Sequence, residues 1–185
     1  MALATITDAD LLARCTDVFR TYGFEGATLS RIAAVTGLER GSLYHRFPGG
    51  KEEIALAVAA GVVEWFKTNV FEVLKQPGLP QKRVQAAAKQ LRKFYAEGTK
   101  SCLLEILSIP SDTPDLSAAL KGALQAWQSA FAEISHESGF PKDEAKRRAE
   151  DAIMRIEGSL ILSRLLNDSK PFHRVLDELP ATLIK

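Results

Sequence analysis

The sequence has few of the residue types that build catalytic or metal centres. Its two cysteines, Cys15 and Cys102, lie far apart and form no C-x-x-C pair, which argues against a disulfide framework or a zinc site. The three histidines, His45, His136 and His173, are scattered, and there is no glycine-rich phosphate loop or nucleophile elbow. We therefore expect no metal, no cofactor and no catalytic residues. Both thiols are expected to be buried in a reducing compartment.

The sequence also lacks an excess of charge of one sign and a long apolar run. The net charge is +1, so any binding of nucleic acid has to depend on a local group of cations. The longest uncharged stretch, residues 54–63, is about half the length of a membrane span. The first residues include no basic segment of the kind that opens a signal peptide. These features predict a cytoplasmic protein with no membrane partner.

No segment alternates polar and apolar residues for long enough to predict a strand, whereas apolar residues recur at the period of a helix throughout. A short tail, residues 1–6, precedes the first helix, which Gly23 is expected to end. Further breaks are expected at Pro110 and around residues 167–169, and Pro180 is expected to kink or shorten the last helix. The predicted fold class is all-α, with about nine helices.

Residues 28–54 form the most informative stretch, because two short helices and a sharp turn are predicted there. Thr28 is a good N-cap for the first helix, and Gly37 would end it in the left-handed conformation. Residues 39–46 are predicted to form the second helix, followed by a break at residues 48–50. The side chains expected to face a common core are Leu29, Ile32, Ala33, Val35, Leu43 and Phe47.

A helix, a glycine-containing turn and a second helix form the layout of a helix-turn-helix, whose second helix can enter the major groove of DNA. Two ordinary helices of a bundle would give the same spacing. The side chains favour DNA binding, because four cations face a single acid, Glu39, within residues 28–51. Those cations are Arg31, Arg40, Arg46 and Lys51. Ser42 and Tyr44 add neutral donors suited to phosphate groups.

The same stretch closely resembles the DNA-binding signature of the TetR family of transcriptional repressors. The matching positions are Thr28, Ile32, Ala33, Val35, Gly37, Leu38, Gly41, Ser42, Leu43, Tyr44, Phe47, Lys51, Glu52 and Glu53. The link at residues 48–50 is one residue longer than the commonest one in the family. Residues 101–104, 158–166 and 170–172 resemble the LmrA/YxaF-like branch of the family.

The resemblance implies a two-part protein that regulates transcription. Residues 1–50 would form a three-helix DNA-binding head, and residues 51–185 a larger helical domain for ligand binding and dimerisation. Such a regulator would be a repressor that a small hydrophobic effector releases from a palindromic operator. The long helix that starts at Lys51 is expected to link the two parts.

The sequence predicts which side chains contact double-stranded DNA. Arg40, at the start of the second helix, is placed to reach a base edge, and Gly41 allows a close approach of the backbone. The other predicted DNA-binding residues are Thr28, Ser42, Tyr44, His45, Arg46 and Lys51. All but His45 are expected to hold phosphates, and His45 is expected to touch either a phosphate or a base.

A homodimer is expected, because one head of this size makes too few contacts for tight specific binding. The helix that follows Pro141 carries a stripe of mostly small residues, which suits close helix approach, and the last helix is expected to pair beside it. The predicted interface residues are Ala149, Ala152, Ile156, Ser159, Ser163 and Phe172.

A pocket for a small hydrophobic ligand is expected inside the C-terminal part, because ligand pockets are mostly lined by apolar and aromatic side chains. The predicted lining residues are Trp65, Phe66, Phe94, Tyr95, Leu103, Trp127, Phe131 and Met154. The alternative is a filled core, in which the aromatic rings pack solidly against each other. An enzyme and a helical scaffold without DNA contact are the other functional alternatives. Cys102 is expected to be a packing residue rather than a redox switch.

Overall fold

The computed structural model describes residues 6–108 and 113–185, and these contain nine α-helices and no strand. The predicted all-α class is confirmed. The helices are α1 Asp8–Gly26, α2 Leu29–Thr36, α3 Arg40–Arg46, α4 Gly50–Lys75, α5 Pro80–Phe94, α6 Leu103–Leu107, α7 Pro114–Glu137, α8 Lys142–Leu166 and α9 Lys170–Leu183. The predicted break at Pro110 and all but the last residue of the predicted tail lie outside the described residues.

One compact unit comprises residues 1–62 and 103–121. Its core is built around Phe19 of α1, Ile32 of α2 and Leu43 of α3, all buried. The first half of α4 contributes Ile54, Ala55, Val58 and Ala59, while α6 and the start of α7 contribute Leu103, Ile106, Leu107, Leu116 and Leu120. This packing unit is therefore larger than the head of about fifty residues that the sequence predicts.

The end of α1 fixes where α2 begins. Gly23 has a φ of +69°, which interrupts the helix at the residue expected to end it. The interruption turns Phe24 back into the core, where its ring stacks on Phe19 with 6.1 Å between centroids. Thr28 follows within one turn and accepts a hydrogen bond at Oγ1 from the Arg31 amide, 3.3 Å away. The predicted N-cap is therefore confirmed.

The second unit comprises residues 63–102 and 122–185. Its main contact is between α8 and α9, which pack side by side and are joined by a turn at Asn167, whose φ is +49°. The Phe172 amide donates to Ser163 Oγ at 3.2 Å and ties the start of α9 to the end of α8. A Cβ on Gly98 would come within 2.9 Å of Phe172 Cβ, so glycine is required there by close packing as well as by its φ of +94°.

Helix α4 contains a π-helical turn at Lys67–Phe71 that the sequence does not predict. Asn69 Nδ2 donates to the Trp65 carbonyl at 2.9 Å within this segment. By length and composition alone, α4 could cross a membrane. Part of its apolar surface is buried within the protein, with Ile54 in the core of the first unit and Val70 buried in the second. A core helix of a soluble protein passes the same test.

Helix α9 runs through Pro180 and ends at Leu183. Of the two expected outcomes, a kink or a shorter helix, the shortening does not occur. Proline removes one backbone donor from a helix, and here the next turn closes again because the Ile184 amide donates to the Pro180 carbonyl at 2.8 Å. The proline ring is buried.

Candidate nucleic-acid interface

The turn between α2 and α3 has the geometry that a helix-turn-helix requires. Gly37 is left-handed, with a φ of +74°, and its amide donates to the Ala33 carbonyl at 2.9 Å. Helix α3 starts two residues after Leu38, with Glu39 as its N-cap. The left-handed residue lets the chain reverse direction without a steric cost, which is the role the sequence assigns to Gly37.

Helix α3 buries one side chain and exposes most of the others. Leu43 is buried in the core, while Arg40, Gly41, Ser42, Tyr44 and His45 are exposed and Arg46 is half-buried. A Cβ on Gly41 would meet no atom of the chain within 4 Å, so no internal contact requires glycine there. The DNA-facing residues predicted on this helix are therefore available to an external partner.

One member of the predicted core stripe is misplaced. Val35 is exposed, and Thr36 is buried in its place. Thr36 lies four residues after Ile32, which puts it on the same face of α2, and its hydroxyl donates to the Ile32 carbonyl at 2.7 Å. Burial of this hydroxyl is tolerated because it is hydrogen-bonded, a possibility that an apolar pattern alone does not reveal.

The start of α4 is fixed by a tight turn. Gly50 has a φ of +65° and its amide donates to the Phe47 carbonyl at 2.9 Å. The Glu53 carboxylate accepts a hydrogen bond from the Gly49 amide at 2.7 Å, so an acid caps the first turn. The link at residues 48–50, longer than is usual in the family, thus forms an ordered turn that places Lys51 at the beginning of α4.

Helix α1 supplies partners for three of the four cations. The Arg31 guanidinium donates to the Gly26 carbonyl at 2.6 Å and lies over the Tyr22 ring, 4.5 Å from its centroid. Arg46 pairs with Asp8 at 3.0 Å, and Lys51 pairs with Glu25 at 3.4 Å. The two ion pairs join residues 38 and 26 positions apart, so no local pattern in the sequence predicts them.

Arg40 differs from the other three cations. It is exposed, and the structure gives it no hydrogen bond or ion pair with any described residue. Its position in the first turn of α3 also sets its charge against the positive end of the helix dipole. Nothing in the described part of the chain explains a cation there, which is the pattern expected of a residue whose partner is another molecule.

The predicted ligand-binding aromatics lie in the second unit and contact each other. Trp65 and Phe94 have centroids 4.2 Å apart, and the Phe66 and Trp127 centroids are 5.0 Å apart. Phe94 meets Tyr95 at 5.0 Å, and Trp127 meets Phe131 at 5.9 Å. These contacts favour the filled core that the sequence left as the alternative. A ligand at this place would have to displace rings.

Two other predicted ligand-binding residues lie elsewhere. Leu103 is buried in the core of the first unit together with Phe19 and Ile54, so it does not line a pocket among the aromatics of the second. Met154 is 62% exposed on the surface of α8 and faces away from the interior. The structure therefore offers no support for either assignment, and both stay predictions. Their hydrophobicity is explained by packing at Leu103 and by an exposed apolar face at Met154.

The predicted dimer-interface residues are buried inside a single chain. Ala149, Ala152, Ile156, Ser159 and Ser163 lie on the face of α8 that is covered within the second unit, and Phe172 is fully buried on α9. These residues have almost no surface left for a second chain, so the structure offers no support for this prediction. The small side chains do permit close approach of a helix, but that helix is α9 of the same chain.

The opposite face of α8 carries an exposed apolar stripe, hereafter the α8 stripe. Its members are Met154, Ile161, Leu162, Leu165 and Leu166, and Leu165 is 79% exposed. Positions 154, 158, 161, 162 and 165 recur at helical spacing, and position 158 is glycine. Contiguous exposed apolar residues of this kind mark interaction surfaces. The signal was present in the sequence, since α8 is apolar on more than one face.

The histidines and cysteines that the sequence offers for a metal centre or a reactive thiol all lie within residues 6–108 and 113–185. No group of three or more His, Cys, Asp or Glu side chains in this range is placed to hold a metal ion. Burial raises the pKa of the Cys15 thiol to about 11, which makes it unreactive at neutral pH. Cys102 is buried and its sulfur accepts a hydrogen bond from the Tyr95 hydroxyl at 3.4 Å.

Two family models match the sequence and together cover most of it. Residues 11–58 match the N-terminal domain of the bacterial regulatory proteins of the tetR family. Residues 80–178 match the C-terminal domain described as transcriptional regulator LmrA/YxaF-like. The first match covers most of α1, all of α2 and α3, and the start of α4. The second covers α5 to α8 and part of α9, which include Phe94, Trp127 and the α8 stripe but not Trp65 and Phe66 on α4.

Individual relatives agree with these matches. The HTH-type transcriptional regulator LmrA of Bacillus subtilis (strain 168) is 26% identical over 182 residues, covering 94% of each chain. Over 41 residues, 22% of this chain and 21% of the relative, the HTH-type transcriptional repressor AcnR of Corynebacterium efficiens is 46% identical. The fold is that of a TetR transcriptional regulator from Legionella pneumophila, with a TM-score of 0.85, 18% identity and coverage of 99% and 100% of the two chains. The chain therefore belongs to the TetR family of DNA-binding transcriptional regulators, is not an enzyme, and carries a C-terminal domain of the LmrA/YxaF-like type.

Proposed function

We propose that this regulator is a cytoplasmic homodimeric repressor that binds a palindromic operator and leaves it when a small hydrophobic effector binds. The observation that carries the proposal is the outer face of α3, where Arg40 and Tyr44 are exposed. A helix that only packed would gain nothing from a cation without an internal partner. The name of the AcnR relative describes a repressor, which supports the sign of the regulation.

Arg40 is the base-reading residue of this proposal, because it starts α3 and a bidentate contact to guanine is the commonest specific use of arginine. Gly41 leaves the backbone open for close approach. The phosphate-binding set comprises Thr28, Ser42, Tyr44, Arg46 and Lys51, with His45 next to it. Thr28 and Lys51 lie at the N-terminal ends of α2 and α4, where free backbone amides can also bind a phosphate.

The α8 stripe, extended by neighbouring parts of α9, is the proposed dimer interface. A single head buries too little surface for tight specific binding, and two heads can read two half-sites at a fixed spacing. The α8 stripe supplies the apolar contact that a stable pair needs. Gly158 lies within it and would let two copies of α8 approach closely.

The proposed effector acts through α4, because this helix has its first half in one compact unit and its second half in the other. An effector changes the operator affinity only by binding one arrangement of the heads better than the other. The aromatic residues Trp65, Phe94 and Trp127 remain the proposed site. Since their rings contact each other, ligand entry has to separate them.

The proposal is tested by selecting binding sites from a random-sequence DNA library with the purified protein, followed by gel shifts on DNA flanking its own gene. We expect an inverted repeat whose half-sites lie about one or more helical turns apart. A scrambled fragment is the control. The proposal would be contradicted if the selection enriched no sequence, or if it enriched only an isolated half-site. Native mass spectrometry of the purified protein tests the effector, because a retained ligand adds its mass to the chain.

A further inference from the structure

Acidic side chains of α1 neutralise two of the four cations of the helix-turn-helix in the free protein. Arg46 Nη1 lies 3.0 Å from a carboxylate oxygen of Asp8, and Lys51 Nζ lies 3.4 Å from one of Glu25. Residues 6–62 contain six Lys and Arg residues against seven Asp and Glu residues. The head therefore has no excess positive charge with which to attract DNA, and the placement of individual charges decides its affinity.

The two members of each pair are held differently. The side chains of Arg46 and Lys51 are 28% and 25% exposed, whereas those of Asp8 and Glu25 are 90% and 80% exposed. Lys51 has a further contact, since its ammonium lies 4.2 Å from the centroid of the Phe24 ring. The cations are thus fixed on the head, while the carboxylates can turn into solvent at little cost, because exposed ion pairs stabilise a protein weakly.

We propose that Asp8 and Glu25 are built-in counter-ions of the DNA interface, which phosphate groups displace from Arg46 and Lys51 on binding. The proposal rests on the assignment of these two cations to phosphates. Arg40, the proposed base-reading residue, has no carboxylate partner among the described residues, so it acts on DNA without such competition. The proposed DNA-binding cations are therefore one unpaired residue, Arg40, and two paired residues, Arg46 and Lys51.

The physical consequence is a weaker dependence of binding on salt. A cation that neutralises a phosphate releases a condensed counter-ion, which contributes about 0.9 to the slope of log K against log salt concentration. A displaced carboxylate stays on the head close to the cation, and its negative charge offsets part of the neutralisation of the phosphate. The two pairs should therefore lower both the affinity at low salt and the steepness of the slope.

The test uses Asp8→Asn, Glu25→Gln and the double variant, with DNA affinity measured between 50 and 200 mM salt on operator and on non-specific DNA. Each substitution should steepen the slope by up to about 0.9, so that the gain in affinity at 50 mM exceeds the gain at 200 mM by up to about 3–4-fold. The matched control is Glu133→Gln, which makes the same charge change at an exposed position of α7. Thermal midpoints identify any variant that is misfolded.

Repeating the Asp8→Asn measurement in an Arg46→Ala variant distinguishes a local ion pair from long-range repulsion between the carboxylate and DNA. In Arg46→Ala, the Asp8→Asn effect should largely disappear, because the carboxylate then has no cation to occupy. Slopes for Asp8→Asn and Glu25→Gln that match Glu133→Gln would overturn the proposal while leaving the interface in place. If Arg46→Ala and Lys51→Ala also bound DNA like the wild type, the assignment of these cations to the interface would fall as well.

Discussion

The helix-turn-helix and α8 both expose residues that packing does not explain, but of opposite kinds. On α3 the unexplained residues are polar, with Arg40 exposed and unpaired among the described residues. On α8 they are apolar, with Leu165 exposed on the face away from α9. A phosphate backbone requires donors and charge, whereas a second copy of the chain requires apolar area. The chemistry of an exposed face thus indicates the class of partner.

The two faces of α8 sharpen the same contrast. Its small residues, such as Ala149 and Ala152, pack within the chain, while the α8 stripe is exposed. A sequence pattern shows that a helix has two apolar faces, but only the tertiary structure shows which face is already covered. The variants that follow test whether the covered face stabilises the chain and whether the exposed face forms the dimer.

The largest effect is expected from Phe172→Ala, because this side chain is fully buried against Tyr95 and Gly98. Truncation of a buried phenylalanine costs about 3–5 kcal/mol of unfolding free energy. Urea unfolding at constant protomer concentration measures it, with the half-buried Phe140→Ala as a milder comparison. If Phe172→Ala kept the stability of the wild type but was monomeric, Phe172 would belong to the dimer interface, as the sequence predicted.

The next effect is expected from Leu165→Glu, which places a charge in the α8 stripe. Dimer dissociation should become at least about 100-fold easier, since an apolar contact is lost and a carboxylate has to be desolvated. Sedimentation equilibrium measures the dissociation constant. The control is Leu79→Glu, a leucine outside the stripe that is 69% exposed against 79% for Leu165, and this variant should leave the dimer intact. If the two variants had the same dissociation constant, the α8 stripe would not be part of the dimer interface.

A smaller effect is expected from Arg40→Ala, which should reduce operator affinity by about 1–3 kcal/mol and relax specificity at one base pair. Tyr44→Phe should weaken binding to all sequences more evenly, because it removes a phosphate donor. Lys89→Ala, an exposed cation of α5, controls for net charge. The assignment fails if Arg40→Ala keeps the sequence preference and affinity of the wild type in a gel-shift competition.

The smallest effect is expected from Thr28→Ala, which removes the N-cap of α2. The loss of its hydrogen bond to the Arg31 amide should lower the unfolding free energy by about 1 kcal/mol. Thr21→Ala is the control, because the Thr21 hydroxyl donates to the Asp17 carbonyl within a helix and caps nothing. Equal thermal shifts for the two variants would show that the cap contributes no more than an ordinary threonine.

Local features of the fold were predictable because they depend on neighbouring residues. Thr28 as a cap, Gly23 and Gly37 as helix ends, and the all-α class follow from rules that act over a few positions. Val35 was misjudged because a polar residue, Thr36, is buried instead, with its hydroxyl bonded to a carbonyl of the same helix. Pro180 does not shorten α9, which continues to Leu183.

Features that depend on distant residues could not be predicted. The pairs that Arg46 and Lys51 form with α1 join residues 38 and 26 positions apart, and no local pattern announces them. Leu103 was assigned to a ligand pocket because it is apolar, yet it packs in the core of the first unit. Apolar character alone does not distinguish a core, a pocket and an interface, and burial within the chain separates only the interface from the other two.

The most direct test of the account is the mass of the complex formed on a labelled DNA fragment from the region flanking the gene, measured by analytical ultracentrifugation. The account predicts a complex containing an even number of chains, two for each inverted repeat, which both Arg40→Ala and Leu165→Glu weaken. A complex with a single chain per site, or one that Leu165→Glu leaves unchanged in mass and affinity, would contradict it.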